Sequence, residues 1–127
     1  MPTTITLVTS DDSHTHVQII GPLDLAGVQA IELKFTAHTA SRRKPAIVDV
    51  SQVAIIASLG MGMLLQVARA LAAHRAKLVL LAPTPQVDGA LRTAKLDMLL
   101  AIAADLDAAH AHAGIAPGAS GATDATA

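Results

Sequence analysis

Five segments of the chain carry hydrophobic and polar patterns typical of β-strands. The first alternates β-branched and apolar residues, and the third and fourth are nearly continuous apolar runs, as expected of strands buried on both faces of a sheet. Turn signals follow the first strand at Asp11-Asp12-Ser13 and the second at Gly21-Pro22. The five strands are predicted over residues 3–9, 14–20, 46–50, 77–81 and 99–103.

Helical periodicity appears between these strands. The first helix begins at Leu23-Asp24, where Asp24 is the expected N-cap because its carboxylate can accept a hydrogen bond from the first turn. Three more helices are predicted over residues 58–74, 86–95 and 105–113. Two strands followed by strands that alternate with helices predict an α/β fold, a small mixed β-sheet with helices packed against it. The predicted apolar side of the first helix is Leu25, Val28, Ile31, Leu33 and Phe35.

The length of 127 residues fits a single domain, which we place at residues 1–113. Residues 114–127 are rich in Ala, Gly, Ser and Thr and carry one charge. Because this segment lacks the apolar side chains needed for packing, it is predicted to form a disordered Ala/Gly-rich tail.

Composition narrows the classes of function. Aromatic residues make up 1% of the chain, so there is little surface for stacking on bases or sugars, and a net charge of -1 does not attract nucleic acid. Cysteine is absent, which excludes disulfides, thiolate metal ligands and thiol nucleophiles. The chain shows no secretory signal and no apolar run near the ~20 residues that span a bilayer. We therefore expect a cytoplasmic protein that neither binds nucleic acid nor inserts into a membrane.

The second predicted helix carries the main candidate site. Helical spacing places a small, polar stripe formed by Ser58, Gly62, Gln66 and Arg69 opposite the face suited to packing on the sheet. Leu59 and Met63 flank this stripe and are predicted to be exposed, which makes them a candidate partner surface. The face predicted to pack on the sheet is Gly60, Leu64, Val67 and Leu71.

Ser58 itself admits two interpretations. As an N-cap it would contribute ~1 kcal/mol to helix stability, although Met61 stands where a capping box has Glu or Gln. As a phosphate acceptor it would place the phosphate at a helix N-terminus, where backbone N–H groups and the helix dipole favour negative charge. The spacing of residues leaves both interpretations open.

Two motifs carry a resemblance to a known family. The turn Gly21-Pro22-Leu23-Asp24 and the helix start Ala57-Ser58-Leu59-Gly60-Met61-Gly62 resemble the STAS domain family over roughly residues 3–113, and within it the bacterial anti-sigma-factor antagonists. The resemblance implies a non-enzymatic protein that binds an anti-sigma factor, which is often also a serine kinase. It implies further that phosphorylation of the serine matching Ser58 breaks the complex, and that the turn before Asp24 borders the same surface. The candidate partner-binding residues are thus Asp24, Ser58, Leu59, Gly62, Met63 and Gln66.

Two positions depart from the family pattern, which usually reads Asp-Ser-Ser/Ala-Gly. Ala57 occupies the acidic position, and Leu59 follows the serine. The missing carboxylate removes a group that could orient the Ser58 hydroxyl for a kinase. The missing carboxylate leaves a second class of function open. STAS modules also occur as structural subunits of ABC-type lipid transport complexes, where they contact an ATPase.

The remaining chemistry-bearing residues predict no further site. Among six histidines, His14 and His16 share a strand face, as would His110 and His112 if their segment were extended. Nothing nearby completes a ligand set, so these histidines are expected to be polar surface residues and no metal is predicted. No Gly-rich loop has Walker or Rossmann spacing, so we expect neither a cofactor nor enzymatic activity.

Overall fold

A computed structural model describes residues 2–115 and places five strands in one mixed sheet. The strands are β1 (Thr4–Ser10), β2 (Thr15–Ile20), β3 (Ala46–Gln52), β4 (Leu78–Leu81) and β5 (Ala101–Ala103). Their order across the sheet follows their order in the chain. The β1–β2 pair is antiparallel, and the other three pairs are parallel. This arrangement confirms the predicted α/β fold.

Helices cover both faces of the sheet. The strands β2 to β5 are parallel, and each is added on the same side of the strand before it. Right-handed crossovers therefore put the three connecting helices on the same face of the sheet. There they bury the main core against side chains such as Val17, Val48 and Leu80. The last helix lies on the other face, against Ile47 and Val79. The helices are α1 (Leu25–His38), α2 (Ser58–Ala72), α3 (Pro85–Thr93) and α4 (Leu106–Ala113), with 3₁₀ turns at Ala40–Arg42 and Leu96–Met98.

The buried face of α1 is narrower than predicted. Val28, Ile31 and Phe35 are buried, but Leu25 is 60% exposed and Leu33 is 86% exposed. The buried set follows the i, i+3, i+7 spacing of one helix face, whereas Leu33 comes two residues after Ile31 and so points to the opposite side. The assignment of Leu25 and Leu33 to the core was therefore wrong.

The described structure continues two residues beyond the predicted end of the domain at Ala113. Gly114 ends α4 with a positive φ of 77°, and Ile115 is buried beside Ala113. The rest of the predicted tail, residues 116–127, lies outside the described residues. Within residues 2–115, no helix combines the length and apolar character needed to cross a membrane.

Candidate functional site

Two loops meet at the carboxyl edge of the parallel strands. The loop between β2 and α1 is hydrogen-bonded to the loop between β3 and α2, because Leu23 N–H donates to Ile55 O at 2.9 Å and Ala57 N–H donates to Leu23 O at 2.9 Å. An isolated parallel bridge between Leu23 and Ile56 completes the pairing. The starts of α1 and α2 are thus held side by side, and Asp24 and Ser58 lie at the same edge of the sheet, as the family resemblance implied.

Gly60 makes this close pairing possible. A Cβ on Gly60 would lie 2.7 Å from Leu23 O, closer than real Cβ contacts, and 3.0 Å from Leu23 Cβ, tighter than most of them. The absence of a side chain therefore lets the first turn of α2 rest directly on the loop before α1. Gly62, two residues later, has no atom within 4 Å of the corresponding position. The two glycines of the Gly-Met-Gly sequence have different roles: one is needed for packing, and the other leaves an open surface.

Alanine at these two glycines is expected to change stability in opposite directions. Gly60→Ala should destabilise the fold by about 1–2 kcal/mol, because overpacking against the Leu23 backbone outweighs the gain in helix propensity. Gly62→Ala meets nothing and should stabilise the fold by up to about 1 kcal/mol. Urea denaturation of both variants measures the difference. Equal effects of the two substitutions would contradict the close approach at Gly60.

The start of α2 has no side-chain cap. Asp24 caps α1 by accepting from Gly27 N–H at 2.8 Å, and Asp105 caps α4 in the same way. At α2 the N-cap position is occupied by Ala57, and Ser58 is the first residue of the helix. The N-cap interpretation of Ser58 was therefore wrong. Ala57 stands where the family pattern has its acidic residue, so this helix start keeps its first-turn N–H groups free of a carboxylate cap.

The predicted polar stripe of α2 faces outward. Ser58, Gly62 and Gln66 are exposed, whereas the residues predicted to pack on the sheet are buried. Leu59 is 47% exposed, as expected of a surface residue. Met63 is only 3% exposed, so its assignment to the partner surface was wrong. Met63 belongs to the main core, so the buried face of α2 is wider than predicted.

An exposed apolar patch surrounds this helix start. It consists of Leu25, Ile55 and Leu59, each about half exposed. All three lie on the paired loops or in the first turn of the helices that follow them. Sequence reasoning found Leu59 but missed Ile55, which lies in a loop without periodicity, and placed Leu25 in the core. The position of Leu25 directly after the N-cap Asp24 was the available signal that it faces solvent.

The site is almost free of charge. Across residues 21–25 and 52–66, Asp24 is the single ionisable side chain. Its carboxylate is exposed and is oriented by the bond from Gly27 N–H. A surface with this composition combines apolar area with one anion, and any added charge at Ser58 would change its electrostatic character greatly.

The histidines differ from their sequence-based assignment. His14 is 1% exposed, so its prediction as a surface residue was wrong. The segment of His110 and His112 is helical, so these two side chains do not share a face. The His14 ring instead contacts the His110 ring at a centroid distance of 5.5 Å. Across residues 2–115, no group of three or more His, Asp or Glu side chains is placed to hold a metal ion.

A groove of about 510 Å³ lies away from this site. It is lined by Ala68 and Ala72 of α2, by Ala76 beyond the end of that helix, and by Met98 and Leu99. These residues approach the amino ends of β4 and β5, whereas Ser58 follows the carboxyl end of β3. The groove and the candidate partner surface are therefore separate features of the molecule.

Comparisons with known proteins agree with this fold. The family model described as the STAS domain matches residues 6–109. The Thermotoga maritima protein TM1081 superposes with a TM-score of 0.74 at 15% identity, covering 87% of this chain and 93% of that one. The anti-sigma factor antagonist SpoIIAA in its unphosphorylated form gives a TM-score of 0.71 at 22% identity, covering 89% and 99%. The phosphorylated form of SpoIIAA, a Bacillus cell fate determinant, gives 0.60 at 20% identity, covering 80% and 92%. No curated protein matches the sequence closely.

Proposed function

The chain belongs to the STAS domain family, and from that premise we propose that it is an anti-sigma factor antagonist. It binds an anti-sigma factor through the surface formed by Asp24, Ser58, Leu59, Gly62 and Gln66, and it has no enzymatic activity of its own. The observation that supports this proposal is the hydrogen-bonded pairing of the two loops around Leu23, which holds the starts of α1 and α2, with Asp24 and Ser58, side by side.

The physical character of this surface suits a protein partner. Exposed aliphatic side chains at Leu25, Ile55 and Leu59 supply apolar area of the kind that fills the centre of an interface. Gly62 lets a partner backbone approach α2 closely, because nothing occupies the space above it. Asp24 supplies one oriented anion that a cationic side chain of the partner can pair with.

Phosphorylation of Ser58 is the proposed switch. A phosphate adds about -1.5 to -2 charges at neutral pH, next to a surface on which Asp24 is the only ionisable group. The uncapped start of α2 can hydrogen-bond the phosphate through its first-turn N–H groups, so the modification leaves the fold intact. The phosphate destabilises the complex instead, because its charge would lie against apolar side chains in the interface. The kinase is the anti-sigma factor itself or a separate protein.

One observation favours a second function. Ala57 leaves the Ser58 hydroxyl without the neighbouring carboxylate of the family pattern. The same surface would then serve as a permanent contact, as in a structural subunit of an ABC-type lipid transport complex that binds an ATPase. Under this alternative Ser58 is never phosphorylated, and the partner is an ATPase subunit.

Affinity purification from the native cells separates the two functions. The wild-type chain is expected to capture an anti-sigma factor, and Leu59→Arg is expected to lose it, because a charge would enter the apolar patch. Leu33→Arg is the matched control, since Leu33 is an exposed leucine on the outer side of α1. Capture of a transport ATPase by the wild type and by Leu33→Arg would overturn the proposal in favour of the alternative. Mass spectrometry of the native protein for phosphate on Ser58 tests the switch.

A further inference from the structure

Two histidines meet on the face of the sheet that α4 covers, and a third, His16, lies on the same face beside Ile47. His14 lies one residue before β2, His16 lies within β2, and His110 lies on α4. The rings of His14 and His110 meet edge to face, with an interplanar angle of 72°. His16 Nε2 is fully enclosed and has no hydrogen-bond partner among residues 2–115. We call His14, His16 and His110 the histidine cluster.

Hydrogen bonds define the protonation of His14. Asp11 has its pKa lowered to about 2, chiefly because the Ser13 hydroxyl donates to it, so its carboxylate is ionised and only accepts. Ser13 Oγ lies 2.6 Å from Asp11 Oδ1 and 2.7 Å from His14 Nδ1. Because the hydroxyl has one proton and gives it to the carboxylate, His14 Nδ1–H must donate to Ser13 Oγ. A second proton would have to enter on His14 Nε2, within a buried ring.

His16 is equally unsuited to a positive charge. As a neutral ring it can leave Nε2 as a bare lone pair, whereas protonation would create an enclosed N–H donor without an acceptor. Burial lowers the pKa of His16, and the nearby Asp49 opposes that effect only in part. Burial also lowers the pKa of His14, against the opposing effect of Asp11. Both rings are therefore neutral in the folded protein at pH 7.

The other charged groups around the cluster do not offset the effect of burial on His14 and His16. Arg42 Nη2 donates to Asp11 O at 2.9 Å, and Lys44 Nζ lies 3.5 Å from Asp12 Oδ1, so the adjoining turn adds cations. The strands β1, β4 and β5 contain no ionisable residue. On α4, Asp105 caps the helix, and Asp107 and His112 are exposed. Asp11 favours protonation of His14, and Asp49 favours protonation of His16.

Helix α4 is held by little apolar area. It has eight residues, and its buried side chains are Ala109 and Ala113. They pack, together with Ile115, on a small cluster that is separate from the main core and includes Ile47 and Val79. Because alanine side chains bury little apolar surface, α4 has less hydrophobic stabilisation than the other helices. A repulsive interaction at His110 is therefore opposed only weakly.

We propose that the buried rings of His14 and His16, the first of them in contact with His110 of α4, form an acid-sensitive contact that holds α4 on the sheet when they are neutral and releases α4 when they are protonated. The inference does not depend on the proposed function. A histidine whose pKa is lowered by folding takes up protons more readily in the unfolded or opened state. Its contribution to stability is complete above the ordinary histidine pKa of about 6.5 and is lost as the pH falls below that value. Acidification therefore opens α4, while α1, α2 and the main core stay folded.

Hydrogen exchange followed by NMR tests the proposal on the full chain. Protection factors remove the intrinsic pH dependence of exchange, so the amides of Ala109 and Ala113 can be compared between pH 7.5 and pH 5.0. We expect them to lose at least tenfold in protection at pH 5.0, while the amide of Leu64 in α2 keeps its value. NMR titration of the imidazole signals is expected to give midpoints below 6.5 for His14 and His16.

Two histidine variants separate the buried rings from general acid effects. His16→Gln removes one of the two buried imidazoles and is expected to keep more of the α4 protection at pH 5.0 than the wild type does, whereas His112→Gln, at an exposed position of α4, should behave as the wild type does. If His16→Gln loosens α4 already at pH 7.5, His14→Gln takes its place in the comparison. Protection of α4 that is unchanged between the two pH values, or equal acid sensitivity of the cluster variant and His112→Gln, overturns the proposal.

Discussion

Replacing Ser58 with aspartate is expected to weaken binding of the anti-sigma factor by at least about tenfold while leaving the fold intact. An unpaired charge in an interface costs about 2–5 kcal/mol, and about 1.4 kcal/mol corresponds to a tenfold change in affinity. Ser58 is exposed at the first position of α2, where an acidic residue is compatible with the helix dipole. Titration calorimetry with the purified partner measures the affinity, and circular dichroism checks the fold.

Two controls define what the Ser58 result means. Ser58→Ala removes the hydroxyl without adding charge and should bind within a few-fold of the wild type. Ser41→Asp places the same charge on the exposed 3₁₀ turn Ala40–Arg42, beside the amino end of β3 and away from the site, and should bind normally. Unchanged affinity of Ser58→Asp would remove the phosphorylation switch from the proposal but would leave the apolar patch as a binding surface. Loss of binding in both Ser58 variants would instead assign the contact to the hydroxyl.

Gly27→Ala is expected to destabilise the protein by about 3 kcal/mol, the upper part of the usual range for overpacking. A Cβ on Gly27 would collide with Pro22 O and lie 2.7 Å from Thr3 Oγ1. Neither group can easily move, because Thr3 Oγ1 donates to Pro22 O at 2.6 Å. Displacement of α1 would also strain the Asp24 cap, since Gly27 N–H is its donor. The shift in the midpoint of urea unfolding measures the loss.

Gly89→Ala provides the matched control for Gly27→Ala. Gly89 lies in α3, and a Cβ there meets nothing within 4 Å. The substitution should therefore stabilise the protein by up to about 1 kcal/mol through helix propensity alone. A stability of Gly27→Ala equal to that of Gly89→Ala would contradict the close approach of α1 to the turn at Pro22.

Local periodicity was enough to predict much of this molecule. The order and type of the elements follow from patterns that repeat every two or 3.6 residues, which the chain carries regardless of its neighbours. The same holds for the exposed stripe of Ser58, Gly62 and Gln66, since Gly60 and Leu64 face the opposite way. The Asp24 cap involves a donor only three residues away, at Gly27, and so was also predictable.

Burial that depends on contacts with elements distant in sequence could not be predicted from local periodicity. Met63 is buried in the main core, which side chains of the sheet and of three helices form together, and His14 is buried beside His110 of α4. Leu25 and Ile55 form a surface only because the loops on either side of Leu23 and Ile56 pair with each other. The sequence by itself determined the elements, their order and the outward stripe of α2, because these follow from spacing along one chain. Only the tertiary structure decided the limits of the partner surface and the meeting of the histidines, because both depend on contacts between residues far apart in sequence.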